Sequence, residues 1–148
     1  KIVERYCKEI HYKLNQKTYY AIAFPNNQNG YEIRNKYVKM CLVKKDISLI
    51  KNNQNRLKIF ESWSDFISYL FLFPTDEFLY DFLILNSTAM LFMAEEKLKQ
   101  YDKISLFLDN DKNGKSVKSK IRSQYKNVED CSLIYHDFKD VNEWICNI

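Results

Sequence analysis

Residues 103–114 have the sequence K-I-S-L-F-L-D-N-D-K-N-G, a nearly continuous apolar run that ends in two aspartates. The run predicts a β-strand over residues 103–108, because short apolar runs bounded by turn residues are typical of strands covered on both faces. Asp109 and Asp111 then lie at the carboxyl end of this strand, where sites form in open parallel sheets. The stretch predicts an α/β domain with an acidic site at one edge of its sheet.

Strands and helices alternate on both sides of this stretch. Further strands are predicted over residues 56–60, 81–86 and 132–135, and helices over residues 64–73, 87–100, 114–125 and 141–145. Each strand is nearly continuously apolar, which favours a mainly parallel sheet flanked by helices. Residues 56–148 are therefore expected to form an α/β domain.

The first third of the chain has a different pattern. The spacing of Tyr6, Ile10 and Leu14 predicts a helix over residues 1–14. Short strands separated by turn residues are predicted over residues 18–24, 31–34, 38–43 and 47–50. We expect residues 1–55 to form an N-terminal helix and a small antiparallel sheet, as part of the same compact unit.

Composition and charge exclude some classes of protein. The chain has 148 residues, of which 46% are apolar, and a formal charge of +4, which permits a polyanionic partner without requiring one. With only two glycines, no G-x-G-x-x-G follows any predicted strand, so a dinucleotide enzyme is disfavoured. The four cysteines form no C-x-x-C pair, which argues against a structural zinc site in these residues.

Two expectations concern location and extent. No apolar run approaches the ~20 residues that span a bilayer, so we expect no membrane segment and a cytoplasmic protein. The chain begins at Lys1 and not at Met, which indicates a piece of something longer. The oligomeric state is not predictable from the sequence.

Acidic residues follow two of the predicted strands. Glu61 ends the strand over residues 56–60, and Asp109 and Asp111 end the strand over residues 103–108. Since the carboxyl ends of parallel strands meet at one edge, these side chains are expected to converge, and a hard dication such as Mg²⁺ would offset their repulsion. Asp140 precedes the last helix, where a lone Asp is most often a helix cap.

A calcium-binding alternative fails. Residues 109–114 match the first half of an EF-hand loop, D-x-D-x-N-G. The glutamate expected at the twelfth position is Lys120, and the segment before the loop is a predicted strand and not a helix.

Three segments together resemble the motifs of the Toprim domain, which bacterial primases, topoisomerases and certain nucleases share. They are E-S-W-S-D at residues 61–65, L-D-N-D-K-N-G at residues 108–114 and K-D-V-N-E-W at residues 139–144. The resemblance covers roughly residues 56–148. It is closest to primase-like and mobilisation proteins of bacterial mobile elements, in which a zinc-binding module often precedes the domain, and so implies such a module upstream.

The resemblance assigns roles to the acidic residues. Glu61 matches the glutamate of the family, proposed as general acid/base or metal ligand, and Asp109 and Asp111 match the pair that binds Mg²⁺ (or Mn²⁺). Asp65 and Asp140 match acidic positions of primase-type members, where they would add a second metal or an outer shell.

Two positions depart from the family pattern. Ser62 stands where glycine is usual, and Asn142 stands where some primases have a second acid. The first could crowd the turn beside the metal, and the second removes one potential ligand.

Candidate nucleic-acid contacts lie outside the acidic motifs. Lys115, Lys118 and Arg122 could share a helix face that contacts phosphates, although ordinary solubilising charge explains them equally well. Four tyrosines of the N-terminal part could stack on bases, namely Tyr19, Tyr20, Tyr31 and Tyr37. Cross-strand packing is the preferred interpretation of these tyrosines.

Three functions follow from the resemblance. The first is a magnesium-dependent nucleotidyl-transfer module of a larger DNA primase or mobilisation protein, acting on DNA or RNA with nucleotides. The second is a metal-dependent nuclease of the same fold. The third is a catalytically degenerate nucleic-acid-binding module, favoured by Ser62 and Asn142. A topoisomerase is disfavoured, since no tyrosine can be singled out as its nucleophile.

Overall fold

Four antiparallel strands form the first of two units into which the chain divides. The computed structural model describes residues 1–148, and the units comprise Lys1–Asp46 and Ile47–Ile148. In the first unit a short helix precedes four strands that pair in chain order, namely α1 (Ile2–Tyr6), β1 (Lys8–Leu14), β2 (Lys17–Pro25), β3 (Tyr31–Arg34) and β4 (Lys39–Leu42). Ala21, Ala23 and Ile33 form the buried centre of this sheet.

The predicted helix over residues 1–14 is wrong for its second half, which is strand β1. Ile10 and Tyr12 pack towards the centre of the sheet, so the apolar period in this segment is two. Asn15 and Gln16 have positive φ angles of 49° and 63°, as a two-residue hairpin turn requires. Pairing of β1 with β2 along its whole length therefore overrides the helical spacing.

Five strands form the sheet of the second unit. They are β5 (Ser48–Ile50), β6 (Arg56–Phe60), β7 (Asp81–Ile84), β8 (Lys103–Phe107) and β9 (Val128–Asp130), in the spatial order β5-β7-β6-β8-β9. All neighbours pair in parallel except β5, which is antiparallel to β7. The predicted α/β class, with a mainly parallel sheet and a separate antiparallel sheet, is confirmed.

Strand β5 corrects the expected composition of the N-terminal sheet. Residues 47–50 were assigned to that sheet, but Leu49 pairs with Leu83 of β7 in the second one. The apolar side chain of Leu49 packs against the core of the second unit, which gives the segment more burial than a polar-faced hairpin offers. The expectation that residues 1–55 and 56–148 form one compact unit stays a prediction.

Four helices belong to the second unit, namely α2 (Trp63–Leu72), α3 (Glu95–Leu98), α4 (Lys112–Gln124) and α5 (Val141–Cys146). The predicted helix over residues 87–100 is broken into a 3-10 helix, Thr88–Met93, and the short α3. No helix is long and apolar enough to cross a membrane.

The predicted strand over residues 132–135 is also wrong. This segment is a 3-10 helix, Ser132–Tyr135, and the edge strand is β9, just before it. Ser132 and Tyr135 are buried while Leu133 and Ile134 are exposed, which is the spacing of three residues per turn. The hydroxyl of Tyr135 donates to the carbonyl of Leu108 at 3.0 Å, so the segment is bound to the end of β8 by a side chain.

Both faces of the central strands are buried. On one face the ring of Phe60 lies between four aromatic rings, with centroid distances of 5.9 Å to Phe66, 5.2 Å to Tyr69, 6.4 Å to Phe82 and 5.1 Å to Phe107. On the other face, aliphatic side chains of β6 and β8 pack against Val117 and Ile121 of α4. Burial on both faces explains the mainly apolar strands, and the one buried cation among them, Lys58, lies 3.2 Å from Oδ2 of Asp76.

Phe60→Ala should lower the free energy of unfolding by about 3–5 kcal/mol, because it leaves a cavity among the surrounding rings. The change is measured by urea denaturation. Phe71→Ala is the control, since Phe71 is 72% exposed, and it should stay within about 0.5 kcal/mol of the parent. Equal losses in the two variants would contradict the assigned packing.

Candidate functional site

The register between β6 and β8 brings the predicted acids together. Phe60 pairs with Phe107 at the carboxyl ends of the two parallel strands, so Glu61 and Asp109 follow from adjacent strand ends. Burial, and then the negative charges of Asp109 and Asp111, raise the pKa of Glu61 to about 7. One carboxylate oxygen of Glu61, Oε2, is buried and has no hydrogen-bond partner.

A lysine lies beside the aspartate pair. Nζ of Lys139 is 3.4 Å from Oδ2 of Asp109 and 4.0 Å from Oδ2 of Asp111. Burial raises the pKa of Asp109, while the ammonium of Lys139 acts against this rise. The same carboxylates raise the pKa of Lys139. Sequence reasoning gave Lys139 no role, although it stands directly before Asp140 in the third motif.

The turn after β8 depends on a glycine. Asp111 is the N-cap of α4, and its Oδ1 accepts a hydrogen bond from the backbone N–H of Gly114 at 2.9 Å. A Cβ atom at Gly114 would lie 2.1 Å from the carbonyl oxygen of Asp109. The start of α4 therefore packs directly on the backbone of the aspartate loop, which only glycine allows.

Asn110 binds the aspartate loop to the segment that carries Lys139. Its backbone N–H donates to the carbonyl of Lys139 at 2.7 Å, and its side-chain Nδ2 donates to the carbonyls of Tyr135 at 3.1 Å and Phe138 at 3.0 Å. These bonds hold Lys139 next to the acids. The sequence analysis did not predict this role of Asn110. The one feature of the sequence that points to it is the position of Asn110 between Asp109 and Asp111.

Asp65 is buried between α2 and α5. Its Oδ1 accepts from the backbone N–H of Asn142 at 3.1 Å, and its Oδ2 accepts from Oγ of Ser62 at 2.5 Å. Burial, followed by the charge of Asp140, raises its pKa to about 7. Oδ1 thus joins α2 to α5, whereas Oδ2 is bonded to the N-cap of its own helix, and Nδ2 of Asn142 adds a bond of 2.8 Å between the helices to Oγ of Ser68.

These contacts account for the two departures from the family pattern. Ser62 is the N-cap of α2 and has φ −128° and ψ 159°, an ordinary extended conformation that needs no glycine. Asn142 supplies the backbone and side-chain donors that face α2. Both residues fit the helix contacts without strain.

Asp140 is a helix cap, as expected for an isolated Asp. It is the N-cap of α5, and its Oδ1 accepts from the backbone N–H of Glu143 at 2.8 Å. Oε2 of Glu143 in turn accepts from the backbone N–H of Lys139 at 2.6 Å. The charge of Asp140 also raises the pKa values of Asp65 and Asp109, so the cap contributes to the field of the acidic cluster.

The basic residues of α4 do not share one exposed face. Lys118 is 6% exposed, and its Nζ lies 2.6 Å from Oγ of Ser132 and 3.3 Å from Oδ1 of Asn110. The prediction of a phosphate contact is therefore wrong for Lys118. Its position between Val117 and Ile121 on the buried stripe of α4 was the missed signal. Lys115 and Arg122 are exposed, and their nucleic-acid contact stays a prediction.

The chemistry of the acidic cluster fits a hard dication. Carboxylate oxygens are the ligands that Mg²⁺ prefers, and Glu61 Oε2 is a buried acceptor without a donor. As the side chains stand, however, no group of three or more His, Cys, Asp or Glu residues is arranged to hold a metal ion. The cluster has the donor set of a dication site without the converged geometry of an occupied one.

Comparison with known families assigns the second unit. The sequence profile of the family described as Toprim-like matches residues 58–145, more than half of the chain. The chain therefore belongs to the Toprim-like family. Residues 1–43 match a domain of unknown function. No curated protein is significantly similar in sequence.

Solved structures share the fold. The chain is similar to the crystal structure of the primase fragment of the bacteriophage T7 primase-helicase protein, with 16% identity and a TM-score of 0.67 over 94% of this chain and 62% of that one. It thus spans about 62% of the length of that fragment. A second similar chain comes from a structure of the bacteriophage T7 lagging-strand DNA polymerase interacting with primase domains of two gp4 subunits bound to an RNA/DNA hybrid and dTTP. The sequence identity is 16% and the TM-score is 0.62, over 94% of this chain and 76% of that one.

Gly114→Ala should destabilise the chain by about 1–3 kcal/mol, because the added methyl group meets the backbone of Asp109. Urea denaturation measures the loss. Ser119→Ala, at an exposed position of the same helix, should change stability by less than about 0.5 kcal/mol. A neutral Gly114→Ala would show that α4 does not pack on the aspartate loop.

Asp65→Asn should reduce the pH dependence of stability. Between pH 3.8 and about 7 the folded state keeps a proton on Asp65 that the unfolded state has released, so the free energy of unfolding falls as the pH rises through this window. Asparagine keeps an acceptor for Asn142 and supplies a donor to Ser62. The difference in free energy of unfolding between pH 5 and pH 8, measured with EDTA, should shrink by on the order of 2 kcal/mol.

Glu61 contributes a fall of the same sign, since its pKa is also raised to about 7, and this part should persist in Asp65→Asn. Glu96→Gln on exposed α3 is the control and should keep the profile of the parent. A profile unchanged by Asp65→Asn would mean that Asp65 is ionised in the folded state at pH 5.

Proposed function

We propose that this chain is a metal-dependent, nucleic-acid-acting module that performs primase-type nucleotidyl transfer. The observation that carries the proposal is the buried acidic cluster at adjacent strand ends, in which Glu61 has an unpartnered oxygen and a pKa raised to about 7. Membership of the Toprim-like family and the shared fold of a phage primase fragment support it.

The finer parts of the proposal concern the setting of the module. It would belong to a larger cytoplasmic DNA primase or mobilisation protein of a bacterial mobile element, with a zinc-binding module upstream. Its substrates would be nucleotides and a DNA or RNA strand. These parts rest on the resemblance of the three acidic motifs.

Asp109 and Asp111 would hold Mg²⁺ or Mn²⁺, with Glu61 as a further ligand or as the proton carrier. When bound, the ion would neutralise phosphate charge and stabilise the attacking and leaving oxygens. Glu61 can exchange a proton at Oε2 near neutral pH, since its pKa is about 7. Asn110 keeps the aspartates and Lys139 in register through its three hydrogen bonds to residues 135–139.

Asp65 and Asp140 would act as outer residues and not as first ligands. Both oxygens of Asp65 already accept hydrogen bonds, and Oδ1 of Asp140 caps α5. Their negative charges deepen the potential that attracts a cation. A second metal held by this pair would have to compete with these bonds.

Two other functions use the same residues. A metal-dependent nuclease would need the same carboxylates and would differ in the product formed. A catalytically degenerate nucleic-acid-binding module would keep the fold without holding a metal, and it agrees with Asn142 at a position where some primases have a second acid. An activity assay separates the three functions, because the first predicts synthesis of nucleic acid, the second predicts its cleavage, and the third predicts neither.

Calorimetric titration with Mg²⁺ and with Mn²⁺ should show binding to the parent that weakens at least about tenfold in Asp109→Asn/Asp111→Asn, because hard dications require carboxylate ligands. Glu95→Gln/Glu96→Gln removes two carboxylates from α3, outside the acidic cluster, and is the matched control, which should bind as the parent does. No binding to the parent at millimolar metal would refute the metal site.

Activity is then tested with single-stranded template, ribonucleotides and metal. Products longer than the substrates, absent in the aspartate variant, would support nucleotidyl transfer. Shortened template, with the same dependence on metal and on the two aspartates, would assign a nuclease. Metal binding without either product would favour the degenerate module.

A further inference from the structure

The two units differ in charge. Lys1–Asp46 contains ten Lys and Arg residues against four Asp and Glu, a formal charge of +6, whereas Ile47–Ile148 contains thirteen against fifteen, a formal charge of −2. The positive charge of the whole chain therefore resides in the N-terminal unit. A polyanionic partner is attracted to this unit and repelled by the acidic cluster of the other.

One face of the N-terminal sheet is open over β1 and the first part of β2, whereas Phe24 and Glu32 further along this face are buried. Pairing places His11 opposite Tyr20, and Ile22 opposite Arg34, so these side chains share the face that does not carry the buried centre. Tyr20 is 69% exposed. A concave surface of about 440 Å³ lies over this face, lined among others by Glu9, Tyr20, Ile22, Arg34, Lys36 and Tyr37.

The loop that ends this surface is held in shape by Asn35. Its Oδ1 accepts from the backbone N–H groups of Tyr37 at 2.8 Å and Val38 at 2.9 Å, and its Nδ2 donates to the carbonyl of Tyr20 at 3.0 Å. Tyr37 is nonetheless 82% exposed, with Nζ of Lys36 5.7 Å from the centroid of its ring. An aromatic ring and a cation are thus presented to solvent on a fixed turn.

The remaining tyrosines of the unit have structural roles. Tyr12 and Tyr19 are opposite each other across β1 and β2 and stack with centroids 5.7 Å apart, and Tyr31 packs on the buried centre of the sheet. Cross-strand packing therefore explains these residues and leaves Tyr20 and Tyr37 unexplained.

We propose that the open face of the N-terminal sheet binds single-stranded nucleic acid, with Tyr20 and Tyr37 stacking on bases and Arg34 and Lys36 contacting phosphates. Exposed aromatic rings interspersed with cations on a concave surface are what such strands require, since every base offers a π-face and every link a charge. The proposal assigns a role to residues 1–43, which match a domain of unknown function.

Two features favour this partner over others. A duplex hides the faces of its bases, so exposed rings would gain nothing from it. An acidic polypeptide would be attracted by the charge of +6 but offers no stacking surface. Glu9 is the one carboxylate that lines the surface, and its Oε1 lies 3.1 Å from Nε2 of His11. The inference rests on the proposed function only for the premise that the chain acts on nucleic acid.

The test is fluorescence anisotropy of a labelled oligo-dT or oligo-U strand, with the whole chain, in EDTA. Tyr20→Ala and Tyr37→Ala should each weaken binding by about tenfold, because each loses the stacking energy of one base. Tyr37→Phe should bind within about threefold of the parent, since the ring is kept. Arg34→Ala and Lys36→Ala should each lower the slope of log K against log salt by roughly 0.7, whereas the tyrosine variants keep the slope.

Phe78→Ala is the control, since Phe78 is 67% exposed on the second unit, and it should bind as the parent does. Melting curves establish that each variant is folded. The proposal would be overturned if a duplex or polyglutamate competed as effectively as an unlabelled single strand. It would also be overturned if the Tyr20→Ala/Tyr37→Ala variant bound the oligonucleotide with the affinity of the parent.

The outcome is separable from that of the proposed function. Asp109→Asn/Asp111→Asn should bind the oligonucleotide normally in EDTA while losing the metal. Oligonucleotide binding that is lost in this variant and kept in the tyrosine variants would place the strand at the acidic cluster and overturn the proposal. Binding through the tyrosines without metal binding would leave the stacking face standing and refute the nucleotidyl-transfer function.

Discussion

The parallel pairing of β6 with β8 is the constraint on which the rest of the second unit depends. It aligns Phe60 with Phe107, and this single register both stacks their rings at 5.1 Å and sets Glu61 beside Asp109. A slip by one residue would move the aromatic side chains to the opposite face of the sheet. The core and the acidic cluster are therefore specified by the same contacts.

Bringing carboxylates close together disfavours their ionised forms, and several neighbouring groups offset part of this effect. Burial and mutual repulsion raise the pKa values of Glu61, Asp65 and Asp109. Helix caps, backbone donors and one lysine offset part of this repulsion. Asp65 also joins α2 to α5 through the backbone N–H of Asn142, and Asp140 caps α5, so acidic residues near the cluster contribute to stability as well.

Much of this arrangement could be predicted from the sequence. The strands β6 and β8 are marked by short, mainly apolar segments, and Glu61 and Asp109 follow within two residues of the strand ends, so pattern and chemistry agree. The helix over residues 1–14 could not be excluded, because Tyr6, Ile10 and Leu14 fit one helix face while Ile10 and Tyr12 fit a strand. Pairing with the next strand, β2, decides between the two periods.

Other features depended on contacts that no local pattern encodes. Asn110 and Lys118 make their hydrogen bonds and ion pairs with residues 130–139, which are distant in sequence. Without knowledge of these contacts, their polar side chains resemble ordinary surface residues. The 3-10 helix Ser132–Tyr135 resembled a strand because its four residues are mostly apolar. Its burial pattern, with Ser132 and Tyr135 inside, is set by long-range packing that includes the bond between Tyr135 and the end of β8.

Lys139 gives the cluster a resident counterion. Because its ammonium lies within 4.0 Å of both aspartates, the fold carries its own positive charge where a dication would be drawn. The repulsion between the two aspartates is therefore partly offset by a side chain of the same chain. If a dication binds here as proposed, it would exchange with this tethered charge and would not enter a void.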